Sequence, residues 1–555
     1  MNRAIKGSLA ALLAFALAAP LAAQYMPSQT PNPPPYFAIQ NVRIVTGTGA
    51  VIENGTVVVA NGLIEAVGQG VSVPADAWPI DGSGLTVYPG LFDALSQVGL
   101  RGGGGNGGGG GGGGADFFAQ LAAEPVSDGP EDRPGTTPWV DAADLLDPEA
   151  DAIGTWREGG FTNALVAPEE GIVTGQAAVI NFDGDARQMV VRTPAALRVT
   201  MEGAGFRSYP GSLMGVISYI KQLYLDAEHE RRYAAAYAAN PRGQPRPAYD
   251  RALGPIQASI DGGWPTLLPA EEVKEIRRAT QLGEDTGARA VIVGAQDAYM
   301  IPDEIAASGV PVLVDLDWPE ADRNADPEAE ESLSSLRRRA HAPTTPAALE
   351  EAGATWAFYS GGAGSPRAVM GKIRDAIEHG LSEEAALRAL TTSPAAIFGV
   401  DRVLGTVEIG KLANLVVTDG PIFDEGTEIR LVVVDGRRHE MNAEERPTAA
   451  PAVDMTGTWV LSLNNASQEA SAELEMADDG TLSGRIIGER GEQQITRGWV
   501  SGNDFSITVS ASMGPAGQVE IVYEGTVTGD EVEGTASFGG GRTMDFTGRR
   551  PGGAR

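Results

Sequence analysis

At 555 residues the chain exceeds what one hydrophobic core organises, and its length predicts three or four domains. With 41 Lys and Arg against 73 Asp and Glu, the formal charge of −32 opposes binding to nucleic acid or anionic lipid. The absence of cysteine excludes disulfides, thiolate metal ligands and a lipoprotein anchor.

In chain order, Arg3 and Lys6 precede an apolar run from Leu9 to Leu21, and Ala22-Ala23-Gln24 offers a small-residue cleavage site. This pattern predicts a signal peptide over residues 1–23, hence a periplasmic or secreted protein with no membrane anchor after processing. A retained anchor is the competing reading, but the apolar run is short for a span. Residues 24–35 are polar and proline-rich and read as a linker.

From Tyr36 to Tyr88 short β-rich runs alternate with turns, among them Asn54-Gly55 and Asn61-Gly62, and predict a small antiparallel sheet. Residues 101–115 are nearly all glycine. No helix start or Lys-Ser/Thr follows them to bind a phosphate, so they read as a disordered loop.

Between Trp156 and Val400 apolar runs (Thr162–Ala167, Ala177–Asn181, Ala288–Val293, Val310–Leu316, Thr355–Tyr359) alternate with helical stretches (Leu213–Tyr237, Ala270–Thr286, Gly364–His379). Such alternation predicts an α/β architecture, best a parallel β/α barrel. Gly405 to Met441 is β-rich again, and residues 442–454 form a second linker. Eight short runs over 455–550, punctuated by Gly480, Gly502, Gly517 and Gly529, predict an antiparallel β-barrel or sandwich.

Two stretches carry a family signature. Gly84-Leu85-Thr86-Val87-Tyr88-Pro89-Gly90-Leu91-Phe92-Asp93 resembles the amidohydrolase-superfamily lead-in to barrel strand one. Residues Gly380 to Thr391, Ser393-Pro394-Ala395 and Gly405 to Val417 resemble that superfamily's last helix and its return to a β-sandwich, in the right order and about 300 residues on. The nearest branch is the imidazolonepropionase-like periplasmic enzymes. The resemblance implies a (β/α)8 TIM-like barrel over 89–402 and a composite β-sandwich from 36–88 and 403–441. It also implies one or two divalent ions at the C-terminal mouth of the strands, activating water for attack on a carbonyl.

The ligand positions that the resemblance implies are altered. The His-x-His pair falls on Leu95 and Gln97, a middle-strand His on Pro269, a second on Gly294, and the final-strand Asp on Gly361. The four histidines, His229, His341, His379 and His439, fall elsewhere in the chain. Other groups at strand ends are Asp93, Gln97, Gln296, Asp297, Asp315, Asp317 and Ser360. Asp315 and Asp317 form the best pair, since alternate strand residues point the same way. Such carboxylates could hold a hard cation, act as acid and base, or serve as solvated or capping groups.

The sequence thus predicts a pseudo-amidohydrolase without a cofactor, acting as a binding or scaffold protein for a small molecule or a peptide-like ligand. The alternative is a hydrolase of non-peptide carbon–nitrogen bonds with a His-free site, and only under it is a divalent metal such as Zn expected.

Overall fold

The structure, a computed structural model, describes residues 36–101, 133–203, 209–319, 331–441, 451–463, 468–477, 480–488, 491–512, 518–538 and 542–550. The expected signal peptide, the first linker, all but the start of the glycine-rich loop, and most of the second linker lie outside these residues.

Five strands come first: β1 (Tyr36–Val45), β2 (Val51–Ala60), β3 (Leu63–Gly68), β4 (Trp78–Asp81) and β5 (Thr86–Pro89). The barrel strands follow: β6 (Leu91–Ser96), β7 (Phe161–Val166), β8 (Val173–Asn181), β9 (Val190–Val199), β10 (Pro265–Ala270), β11 (Arg289–Gly294), β12 (Val312–Asp315) and β13 (Trp356–Tyr359). The chain then returns through β14 (Leu415–Thr418), β15 (Ile429–Val434) and β16 (Arg437–Glu440), which join the first sheet where β14 pairs antiparallel with β5. One sheet is therefore built from two distant segments, as the resemblance implies.

The composite sheet is fastened to the barrel by three buried asparagines. Asn414, just before β14, donates to Asn163 Oδ1 on β7 and Asn181 Oδ1 on β8, each at 2.9 Å, and its Oδ1 accepts from Asp435 N at 2.7 Å. Buried amides persist only when partnered, so these bonds fix how the return strand meets the barrel.

In the barrel, inward side chains such as Leu267, Val291, Val293, Leu313, Ala357 and Tyr359 share one cluster. Their alternates Leu268, Ile292, Val312, Val314 and Phe358 pack outward in the cluster that includes the surrounding helices. Burial on both faces explains the continuous apolar runs. Helix Val273–Thr286 starts at a capping box between Glu272 and Glu275 and ends at Gly287 in the left-handed region, φ 69°. It buries Ile276, Ala279 and Leu282.

The barrel differs from a regular (β/α)8: no helix separates β7 from β8 or β8 from β9. Strand β8 pairs antiparallel with both β7 and β9, so seven of the eight strands share one direction. Strand β9 has no counterpart among the runs predicted above, because Arg192, Pro194 and Arg198 interrupt its pattern.

The last domain is a closed antiparallel barrel of β17 (Gly457–Leu463), β18 (Gln468–Met476), β19 (Leu482–Gly488), β20 (Gly491–Ser501), β21 (Asp504–Ser512), β22 (Gln518–Thr528), β23 (Glu531–Phe538) and β24 (Arg542–Arg549). Closure by β17 against β24 leaves no open edge. Trp459, Phe505, Tyr523 and Phe546 fill its core.

Candidate binding site at the barrel mouth

Four polar side chains from strand ends define the mouth. Arg198 lies near the end of β9, Glu271 directly follows β10, Asp315 ends β12 and Tyr359 ends β13. Alternation places them inward, since Ala196, Leu267, Leu313 and Ala357 are interior residues two or four positions earlier.

The Glu271 carboxylate sits beside Gly294, and its Oε2 accepts from Gln296 N at 3.5 Å. Burial pushes its pKa up to about 7, with a further rise from the Asp315 charge, partly offset by the Gln296 bond and Arg338. Asp315 accepts from the Tyr359 hydroxyl at 2.9 Å and from Asp317 N at 2.8 Å. Burial raises its pKa too, and those two bonds oppose the rise. The Tyr359 phenol is held protonated by burial and then by the charges of Asp315 and Glu271, against a smaller effect of Arg198.

Arg198 is only 9% exposed, and its Nε and Nη1 are buried without a hydrogen-bond partner. Burial lowers its pKa, while Glu169, Tyr359 and Glu202 act the other way.

Asp93 has a different place. It is 1% exposed on β6, and its Oδ1 accepts from Ser360 N at 2.9 Å and from Leu95 N at 3.4 Å. Burial lifts its pKa to about 6 despite the hydrogen bonds of Ser360, Leu95 and Ser96. It joins the first barrel strand to the residue following the last.

The remaining sequence candidates take mainly structural partners. Gln97 Nε2 donates to Ala167 O at 2.7 Å, Gln296 Nε2 to Asp317 O at 3.4 Å, and Asp297 pairs with Arg338 at 3.1 Å. The expected Asp315–Asp317 pair has one half-buried and one exposed member, and the Asp317 charge adds to the rise in the Asp315 pKa. Strand β12 ends at Asp315, so alternation stops there, and Asp317 is exposed while its backbone N caps Asp315. Sequence reasoning missed Arg198, Glu271 and Tyr359; an arginine inside an apolar run was the available signal for the first.

Of the altered ligand positions, Leu95 packs inside the barrel and Pro269 lines a cavity of about 160 Å³ next to Glu271. Gly294 and Gly361 both have positive φ, 108° and 55°. A Cβ on Gly294 would collide with the Glu271 carboxylate, and one on Gly361 with the Asp315 carboxylate.

These residues do not fit a zinc-type centre. Glu271 and Asp315 offer hard oxygens alone, and the Arg198 guanidinium sets a fixed positive charge nearby. Among the described residues no three His, Cys, Asp or Glu side chains converge to hold a metal. His229, His341 and His379 are exposed, and His439 pairs with Asp183 at 2.9 Å.

The strands define an α/β-barrel protein with a composite β-sheet and an added closed β-barrel. The amidohydrolase family profile matches residues 270–439. An amidohydrolase from Thermotoga maritima MSB8 is 25% identical with a TM-score of 0.59, the match covering 73% of this chain and 100% of that one. A Xaa-Pro dipeptidase with bound methionine is 15% identical, TM-score 0.44, over 73% of this chain and 100% of its own. A molinate hydrolase is 15% identical, TM-score 0.40, over 73% and 95%. No curated protein matches the sequence. Residues 270–439 thus carry the amidohydrolase family pattern, and the chain is similar in fold to a solved amidohydrolase.

Glu271 yields a pH-dependent prediction. Its folded pKa of about 7 lies above the ordinary 4.5, so the folded state holds the proton more tightly than the unfolded chain. Its ionisation therefore costs nothing below about pH 4.5, and stability falls as the pH rises towards 7. Glu271→Gln removes that cost and should stabilise the protein by about 1–3 kcal/mol at pH 8, with the gain gone at pH 4. Denaturant melts at both pH values measure this; equal stability of the two proteins at pH 8 would show that Glu271 is not strained by burial.

Proposed function

We propose that the protein is an exported binding or scaffold protein, a pseudo-amidohydrolase whose barrel mouth works without a divalent metal. The observation that carries this reading is the pair of glycines. Where the resemblance would seat a histidine and an aspartate, Gly294 and Gly361 carry no side chain, and Glu271 and Asp315 use the space. Leu95, which offers no lone pair, supports the same reading at the His-x-His position. The N-terminal pattern supports export, and the charge of −32 argues against nucleic acid as partner. A small molecule or a peptide-like ligand suits a mouth of this kind.

The amidohydrolase family pattern favours a second reading, hydrolysis of non-peptide carbon–nitrogen bonds through a His-free site, with Zn as a cofactor only in that case. Elemental analysis after dialysis separates the two. The binding reading expects no stoichiometric Zn, Mn or Fe and a melting temperature that chelators leave unchanged. About one metal per chain, removed by chelation together with a hydrolase activity, would overturn it. For export, N-terminal sequencing of protein from an exporting host should start near Gln24, and a product retaining Met1 on the membrane would refute it.

A further inference from the structure

We infer that the junction between the composite sheet and the barrel is a binding site of its own, for a small monocarboxylic acid with an apolar body, its carboxylate on Arg43 and Tyr88. The site lies away from the mouth, because Tyr88 on β5 precedes β6, and β6 runs from there to Ser96 at the mouth end. The inference is therefore independent of whether the mouth holds a metal.

The first observation is a void among core side chains. A cavity of about 500 Å³ opens between β1, β5, the helix Glu383–Ala389 and the segment that follows β14. Tyr88, Leu387, Ile422 and Phe423 line it, each less than a tenth exposed. All four belong to the cluster outside the barrel, and Val45, another lining residue, packs against that cluster. Protein interiors are close-packed and leave few voids larger than a water molecule. A space of this size, within the roughly 300–1,000 Å³ of small-molecule sites, suits a ligand.

Two donors mark one side of the cavity. The Tyr88 hydroxyl accepts from Ile422 N at 3.3 Å, and among the described residues no oxygen accepts its own proton. Burial raises the phenol's pKa against the Ile422 bond and Arg43, so the group stays protonated and keeps that donor. A buried tyrosine hydroxyl ordinarily finds a partner for it. Arg43 lines the same cavity, and its ion-pair partner among the described residues is Glu53, 3.5 Å away and 74% exposed. So exposed a pair is weak, and it leaves the guanidinium available to a carboxylate.

The other charges on the wall do not compete for that place. Glu384 pairs with Arg388 at 2.8 Å, and Asp419 with Arg430 at 2.6 Å. Glu383 is exposed at the start of its helix, and its charge acts on Tyr88 less than that of Arg43 does. An anion thus has its place beside Arg43 and Tyr88, and an apolar body has its place against Val45, Leu387, Ile422 and Phe423.

Titration calorimetry at pH 7 tests this with three compounds. 3-Phenylpropionate carries the carboxylate, 3-phenylpropanamide keeps an acceptor oxygen without the charge, and 3-phenylpropylamine has neither. The carboxylate should bind with about one site per chain, the amide about tenfold more weakly, and the amine more weakly still. Arg43→Met should weaken phenylpropionate about tenfold and remove its advantage over the amide. Tyr88→Phe should weaken both carbonyl compounds. Val51→Trp fills the cavity from the first residue of β2, which is 45% exposed, and should abolish binding with no fall in melting temperature. If Tyr88→Phe does not fold because Ile422 N loses its acceptor, the Arg43 and Val51 variants decide the matter. Absence of phenylpropionate binding, equal affinity for the amide or the amine, or unchanged affinity in Arg43→Met and Val51→Trp would overturn the inference.

Discussion

The α/β barrel depends on a bond between its two ends. Strand β6 and the residue after β13 meet where Asp93 Oδ1 accepts from Ser360 N, almost wholly out of solvent. A carboxylate is expensive to bury, and this one is tolerated because backbone N–H groups reach it from Ser360 and Leu95. With the first and last strands joined there, alternation assigns each inward residue to the lumen. Arg198, Glu271, Asp315 and Tyr359 then have no choice but to share one mouth.

Within that mouth the decisive constraint is steric. Glu271 and Asp315 occupy their places because Gly294 and Gly361 present no Cβ, and any larger residue would collide with a carboxylate in a backbone region that disfavours side chains. The two glycines and two acids therefore form a matched set. The consequence is electrostatic: neighbouring carboxylates whose pKa values burial raises.

Much of the fold was legible in the sequence. Continuous apolar runs located β7, β11, β12 and β13, because burial on both faces leaves no polar alternation to confuse them. Regular turn signals located every strand of the last barrel. Strand β9 was hidden because Arg192 and Arg198 break its apolar pattern, and the second of these is itself a residue of the mouth. Glu271 was hidden by a boundary error, since a helix read from Ala270 absorbs a residue that in fact stands between β10 and the Glu272 cap. Gly294 and Gly361 were visible as lost ligands. That their space is filled by acids from neighbouring strands is a tertiary fact with no local signature.

The central claim is that the mouth is completed by its own side chains and not by a metal. Anomalous diffraction from crystals grown with excess zinc tests it directly. The account predicts no peak beside Glu271 and Asp315, with both carboxylates left beside their glycines. A strong peak within bonding distance of those carboxylates would contradict it.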